Sequence, residues 1–205
     1  MSEVLNVMIP QELENMKLPS PELKQYYEDL ENRTIYVDFD IDVDLLTVTK
    51  YILQWNREDR NIDVKDRKPI LLLVFSYGGE LDSMLSFIDI IHLSKTPIYT
   101  YDMGICASAA ALIFMCGHKR FILPKAQIMI HGGSAGLQGT STQVLDAAEN
   151  YKKMLDIMKD IIFSHSKIDT KLFNKKSKNE WYISAEESIT LGLSDVIVDD
   201  IEMLF

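Results

Sequence analysis

Three stretches of this sequence contain residues that could together break an acyl bond. Ser108 follows an apolar strand and opens an alanine-rich apolar segment, so its hydroxyl would lie at a helix N-terminus, which favours developing negative charge. His131, 23 residues later, follows the apolar segment 127–130 and could bring an imidazole to that hydroxyl if the two strand ends are neighbours. Gly78 and Gly79 follow another apolar strand and leave their backbone N–H groups open to a substrate carbonyl. These residue types suit nucleophilic acyl transfer, in which a histidine takes the proton of a serine and two N–H groups hold the oxyanion.

The elements that must position these residues alternate between strands and helices. Continuous apolar segments predict strands that are buried on both faces, and a shorter alternating segment predicts another strand. The predicted strands are 33–39, 69–75, 97–101, 120–123, 127–130 and 196–198. Apolar residues recur every three or four positions over 45–55 and 81–91, as in amphipathic helices. This order indicates right-handed βαβ crossovers and a largely parallel sheet, in which the chemistry gathers at the carboxyl ends of the strands.

A long helix is predicted in the second half of the chain, with Thr142 as its cap. Its apolar seam consists of Val144, Ala147, Tyr151, Met154, Met158 and Ile161. The glycine-rich segment 132–141 before it is predicted to be flexible or extended. The charged segments 56–68 and 167–180 are predicted to be loops, and a short helix is predicted over Ala185–Leu191.

Composition limits the classes of protein and of partner. The chain has 205 residues, of which 47% are hydrophobic and 25% charged, as in an ordinary folded domain. Its net charge of −10 opposes binding to nucleic-acid phosphates and to anionic membranes, so we expect neither partner. Cys106 and Cys116 lie in an apolar stretch and are expected to be buried thiols. Together with the lack of a recognisable secretory signal, they predict a cytoplasmic protein.

No metal site is expected from the sequence. The aspartates at positions 38, 40, 42 and 44 alternate as in a calcium loop, but Val43 stands where that loop needs glycine. Solvation of a strand end and capping of a helix are the ordinary explanations for such aspartates. His92, His118 and His165 show no spacing typical of metal ligands.

Several motifs resemble, in the same order, those of ClpP, the proteolytic subunit of the Clp protease. They are Ser76-Tyr-Gly78-Gly79, Gly104-Ile-Cys-Ala-Ser108-Ala-Ala-Ala, Lys119-Arg-Phe-Ile-Leu-Pro124, Gln127-Ile-Met-Ile-His131, Gly136-Leu-Gln-Gly139, Ser184-Ala-Glu-Glu187 and Gly192-Leu-Ser-Asp195. The resemblance extends over about residues 69–200 and is faint before Pro69.

The resemblance implies an α/β fold of the crotonase type, a spiral of repeated ββα and βαβ units from which a long handle helix protrudes. Residues 22–205 would form one peptidase domain with the handle at about 132–166, and residues 1–21 an N-terminal arm or loop. Members of the family form stacked heptameric rings that enclose their active sites and receive unfolded chains from a hexameric AAA+ ATPase. We therefore expect peptide or unfolded protein substrates and a homo-oligomer. We expect no cofactor in the subunit, since ATP would be used by a partner ATPase.

The resemblance also implies a role for each candidate site residue. Ser108 would be the nucleophile of a serine endopeptidase, and His131 would be its general base. The backbone N–H groups of Gly78 and Ala109 would form the oxyanion hole. Glu180 stands where the family has the aspartate that orients the histidine.

Two departures from the family pattern leave alternatives open. Glu180 is longer than the aspartate that it replaces, so Asn179 or Asp169 could orient the histidine instead. Tyr77 replaces the usual proline beside the oxyanion glycines. These departures keep open a catalytically decayed, ring-forming relative of ClpP. A crotonase-like acyl-CoA enzyme, which would use acidic catalytic residues and form no acyl-serine, is the less favoured alternative.

Overall fold

A computed structural model describes residues 20–204, and the chain divides into two compact units, Met1–Asn32 and Arg33–Phe205. The expected N-terminal arm, residues 1–21, therefore lies almost wholly outside the described residues. In the first unit, helix α1 spans Pro21–Glu31, and the Ser20 hydroxyl caps it by accepting a hydrogen bond from the Leu23 N–H.

The second unit is built on a mixed sheet that divides along its longest strand. Its strands are β1 (Thr34–Val37), β2 (Ile70–Ser76), β3 (Ile98–Ala107), β4 (Lys119–Ile122), β5 (Gln127–Ile130), β6 (Trp181–Ser184) and β7 (Val196–Ile197). The main order is β1-β2-β3-β4-β7, with all of these pairs parallel. The second half of β3 pairs instead with β5, which is also parallel to it, and β6 is antiparallel to β5. The carboxyl ends of β3 and β5 are therefore neighbours.

The helices of the second unit follow the strands closely. They are α2 (Leu45–Glu58), α3 (Leu81–Leu93), α4 (Ala109–Met115), α5 (Ser141–Ser164), α6 (Thr170–Lys176) and α7 (Ala185–Leu191), with short 3-10 turns at Asp59–Asn61, Val64–Asp66 and Ile201–Leu204. All seven residues of α4 are buried, which explains why this segment is apolar throughout. Within the described residues, no helix combines the length and the apolar character that crossing a membrane requires.

The structure corrects three local expectations. Helix α5 begins at Ser141 and is capped by Thr140, not Thr142, because Thr140 forms a capping box with Gln143. The segment 167–180 is not all loop, since it contains α6, which Asp169 caps. Because α6 has seven residues and only Phe173 among them is buried, the segment shows no apolar stripe. The segment 56–68 begins with the last turn of α2 and continues in 3-10 turns.

Helix α5 is mostly exposed. It has 24 residues and is therefore about 36 Å long. Its buried residues, Met158, Ile161 and Ile162, all lie in its C-terminal part. Along the rest of the helix, Leu145 is 70% exposed and Ile157 is 47% exposed. These two residues lie outside the predicted apolar seam, which is buried at Met158 and Ile161, half-buried at Val144, Tyr151 and Met154, and exposed at Ala147.

Candidate active site

Ser108 lies on a sharp turn between β3 and α4. Its φ of 53° and ψ of −121° put it in a region that residues with a side chain rarely adopt, at a cost of about 1–3 kcal/mol. The Ser108 N–H donates to the Met129 carbonyl of β5 at 2.8 Å, and its own carbonyl accepts from the Leu112 N–H of α4. A strained strand-to-helix turn is the device by which other hydrolases expose a nucleophilic serine.

His131 follows β5 directly and reaches the serine. The register between β3 and β5 pairs Ala107 with Met129, so the two strands end side by side. The distance from Ser108 Oγ to His131 Nε2 is 2.7 Å, which is short for a neutral hydrogen bond. Both side chains are half-buried and so are open to solvent on one side. This geometry lets Oγ–H donate to Nε2 when the imidazole is neutral.

Gly78 packs against the serine turn so closely that only glycine fits there. A Cβ at Gly78 would lie 2.7 Å from the Ala107 carbonyl oxygen and 2.9 Å from the Ala109 nitrogen, and the φ of Gly78 is +99°. The Ala109 N–H belongs to the first turn of α4, where backbone donors have no partner within the helix. The Gly78 backbone therefore packs directly against the turn that contains Ser108 and the Ala109 N–H.

Ser76 holds the glycine turn in place. Its hydroxyl donates to the Phe39 carbonyl at 2.6 Å and accepts a longer hydrogen bond, 3.2 Å, from the Gly78 N–H. The Gly78 carbonyl accepts from the Ile41 N–H at 2.8 Å. The Gly78 N–H thus donates to the neutral hydroxyl oxygen of Ser76. A charged oxyanion would displace this hydroxyl, because charge-assisted hydrogen bonds are about twice as strong.

Glu180 immediately precedes β6, the strand that pairs with β5, but its carboxylate is bound to Tyr182. The antiparallel register of β5 and β6 pairs Ile130 with Trp181, and one further step would put Glu180 opposite His131. The exposed Glu180 carboxylate accepts a hydrogen bond from the Tyr182 hydroxyl at 2.9 Å, and this bond raises the pKa of the tyrosine. Among the hydrogen bonds of the described residues, His131 has one with Ser108 and none with Glu180.

The two alternative orienting residues differ in how they are held. Asp169 accepts from the Leu172 N–H at 2.7 Å and so is occupied as the cap of α6. Asn179 is exposed and belongs to the segment that runs beside the histidine. In that segment the Ser177 carbonyl accepts from the Gly132 N–H at 2.9 Å, which fixes the backbone that precedes β6 against the residue after His131.

Asp102 is a buried carboxyl that the sequence reasoning missed. It lies on β3 with no exposed surface, where the pairing with β2 shifts register between Val74 and Ser76. One carboxyl oxygen accepts from the Gly104 N–H at 3.0 Å, and the other has no hydrogen-bond partner in the described structure. Burial raises the pKa of Asp102 to about 7. An acidic residue inside an otherwise apolar strand was the signal that could have revealed it.

Comparison with known proteins agrees with this architecture. Residues 8–200 match the profile of the Clp protease family, and the chain belongs to that family. It is 32% identical over 128 residues to an ATP-dependent Clp protease proteolytic subunit 2 of Treponema denticola, covering 62% of this chain and 64% of that one. It is 31% identical over 140 residues to the corresponding subunit of Ligilactobacillus salivarius, covering 67% and 71%.

A solved structure confirms the expected fold class. A ClpP1 mutant from Listeria monocytogenes superposes with a TM-score of 0.74 at 21% identity, covering 89% of this chain and 99% of that one. The chain therefore has the α/β fold of ClpP subunits. The sequence alignments with the two relatives span about two thirds of each relative's length.

Asp102 makes the stability of the fold depend on pH. Its folded-state pKa of about 7 lies above the usual value of about 3.9 for an unfolded chain. Its contribution to the free energy of unfolding is therefore fully present below about pH 3.9 and is lost as the pH rises towards 7. Asp102→Asn keeps the neutral form at every pH. We expect the unfolding free energy of the variant to exceed that of the wild type by about 2–4 kcal/mol at pH 8 and by little at pH 4.

Urea denaturation of both proteins from pH 4 to pH 9 measures this difference. It should grow between pH 4 and pH 7 and then level off. A difference that does not change with pH would show that Asp102 titrates normally in the folded protein.

Proposed function

We propose that this chain is a serine endopeptidase that hydrolyses peptide bonds through an acyl-enzyme at Ser108. The observation that carries the proposal is the 2.7 Å contact between Ser108 Oγ and His131 Nε2 on a strained turn at the carboxyl ends of two parallel strands. Membership of the Clp protease family supports the same activity. The contact also argues against a crotonase-like acyl-CoA enzyme, which would need no activated serine.

In the proposed mechanism, neutral His131 takes the proton of Ser108 as Oγ attacks the substrate carbonyl carbon. The carbonyl π electrons move to oxygen, and the N–H groups of Gly78 and Ala109 bind this oxyanion, with Gly78 releasing Ser76. His131 then gives the proton to the leaving amine as the C–N bond breaks. Water, deprotonated by His131, then attacks the acyl carbon. The ester C–O bond breaks as His131 returns the proton to Ser108 Oγ, and the carboxylic acid product leaves. No cofactor takes part in these steps.

The proposed orienting residue is Glu180. For this role its carboxylate must leave the Tyr182 hydroxyl and accept from His131 Nδ1–H, which requires a side-chain rotation within the present strand register. Because Glu180 is exposed, this rotation meets little resistance from packing. The role would hold the imidazole in the tautomer whose Nε2 can accept the serine proton.

The proposed assembly is a homo-oligomer of stacked heptameric rings in the cytoplasm. The exposed apolar side chains of α5, including Leu145 and Ile157, suit burial between subunits. The glycine-rich segment 132–139 precedes this helix and is also mostly exposed, so the two would meet their counterparts in a facing ring. Substrates would be peptides or unfolded chains, the latter delivered by a hexameric AAA+ ATPase that uses the ATP.

A fluorophosphonate probe tests the nucleophile. We expect the wild-type protein to be labelled stoichiometrically on the tryptic peptide that contains Ser108, because the probe reacts only with an activated serine. Ser108→Ala should not be labelled, and His131→Ala should be labelled at least about a hundredfold more slowly. The adduct is located by mass spectrometry on protein whose ring assembly has been verified by size-exclusion chromatography. Assembled wild-type rings that remain unlabelled would contradict the proposal and favour a catalytically decayed relative.

Turnover of a fluorogenic peptide tests Glu180. We expect Glu180→Gln to lower kcat at least about tenfold, since the neutral amide stabilises the imidazolium poorly. Tyr182→Phe is the matched control, because it removes the competing hydroxyl and leaves the carboxylate free, so its kcat should equal or exceed that of the wild type. Equal kcat values for wild type and Glu180→Gln would exclude Glu180 and leave Ser108 and His131 as a dyad, or transfer the role to Asn179.

A further inference from the structure

Three side chains that could bind a metal meet away from the serine, at the C-terminal ends of three helices. His92 lies in the last turn of α3, Cys116 is the C-cap of α4, and His165 is the C-cap of α5. Their potential ligand atoms, one from each residue, all lie within 4.8 Å of one another. The three residues are far apart in the sequence, which explains why no ligand spacing was evident there.

The distances are close to those of a tetrahedral site. His92 Nε2 and His165 Nε2 are 3.2 Å apart, and the two rings are parallel to within 6°. Zinc bonds of about 2.0–2.1 Å to nitrogen and about 2.3 Å to sulfur put the ligand atoms of a tetrahedral site about 3.3–3.7 Å apart. Side-chain shifts of about 1 Å would therefore bring Cys116 Sγ and both imidazoles into the first coordination sphere of one ion.

His165 can present the ring nitrogen that a metal ligand needs. Its Nδ1 lies 3.0 Å from the Ile161 carbonyl oxygen and 2.9 Å from Ser164 Oγ, and when the ring proton is on Nδ1 and is donated to the carbonyl, Nε2 carries the lone pair. Metal-binding histidines use this arrangement, with the second ring nitrogen bonded to a backbone carbonyl or carboxylate. The lone pair of His165 Nε2 faces His92, which is the direction in which an ion would lie.

The electrostatic surroundings favour a cation. Three helix C-termini, each with a partial negative charge, converge on the cluster. The Asp89 carboxylate also faces His92, and the nearby Arg120 guanidinium is neutralised by a bidentate ion pair with Asp195, at 2.6 and 2.9 Å. Burial and the neighbouring His165 lower the pKa of His92, which favours its neutral form.

We propose that His92, Cys116 and His165 bind one zinc ion, with the fourth coordination position open to solvent. Two imidazoles and one thiolate are a donor set that zinc accepts, and three protein ligands with one open position are a known zinc geometry. On binding, Cys116 Sγ–H gives its proton to solvent and the sulfur forms the Zn–S bond. The ion would join the ends of α3, α4 and α5, and so would fix the end of α4 that lies opposite Ser108.

Burial raises the pKa of the Cys116 thiol to about 12, so the metal must displace a proton from it at neutral pH. The other ionisable groups that face the cluster are Asp89, His118 and Arg120. His118 Nδ1 accepts from the Ile98 N–H, and this hydrogen bond keeps it engaged with the backbone.

Cobalt(II) is the probe that tests the site. The full chain, without a polyhistidine tag and treated with chelator, is titrated with Co²⁺ and followed by absorption. We expect one Co²⁺ per subunit, intense visible d–d bands of tetrahedral coordination, and a near-ultraviolet thiolate-to-cobalt charge-transfer band. Added Zn²⁺ should remove these bands by displacing the cobalt.

Four variants assign the ligands. His92→Gln changes an exposed residue, so we expect folding to be retained, and it should weaken Co²⁺ binding by about a hundredfold or more. Cys116→Ser should abolish the charge-transfer band. The matched controls, Cys106→Ala for the other thiol and His131→Ala for a histidine outside the cluster, should retain it. No charge-transfer band in the wild type, or a band that survives in both His92→Gln and Cys116→Ser, would overturn the proposal.

Discussion

The pairing of β3 with β5 is the interaction on which the site depends. The Ser108 N–H is held by the Met129 carbonyl at 2.8 Å, and Ala107 lies opposite Met129 in the same ladder. This hydrogen bond fixes the serine in a backbone conformation that costs free energy, and the same ladder delivers His131 to the serine hydroxyl. A shift of one residue between the two strands would separate the pair and relax the turn, so the catalytic geometry and the strand register are a single property of the fold.

Helix α4 transmits this constraint through the core. Its seven residues are all buried, its first turn carries the Ala109 N–H next to Ser108 in the chain, and it ends at Cys116. Asp102 and Cys106 on β3 are buried, and the ligand atoms of His92, Cys116 and His165 meet at the C-terminal end of α4. A helix made of alanine and apolar residues has no polar side chains of its own with which to fix its ends. Its position is therefore set by the groups that surround it.

The sequence predicted the parts of the structure that depend on local pattern. Continuous apolar segments identified the buried strands, and alanines after Ser108 identified a tightly packed helix. It did not predict α6, because one buried phenylalanine gives no periodicity, and it assigned the cap of α5 to Thr142 when Thr140 forms the capping box. The meeting of His92, Cys116 and His165 has no local signal, because these residues are far apart in the sequence. Nor does any pattern in the sequence identify Tyr182, two residues away, as the partner of Glu180.

The measurement that tests the central claim most directly is the intact mass of the enzyme during turnover of a slowly deacylating peptide ester. Acid quenching within the first turnover should trap a covalent acyl group on the peptide that contains Ser108, with one equivalent of alcohol released per subunit. The His131→Ala variant should accumulate almost none over the same interval. Ester hydrolysis by the wild type at the expected rate, with Ser108 unmodified at every time point, would contradict the account.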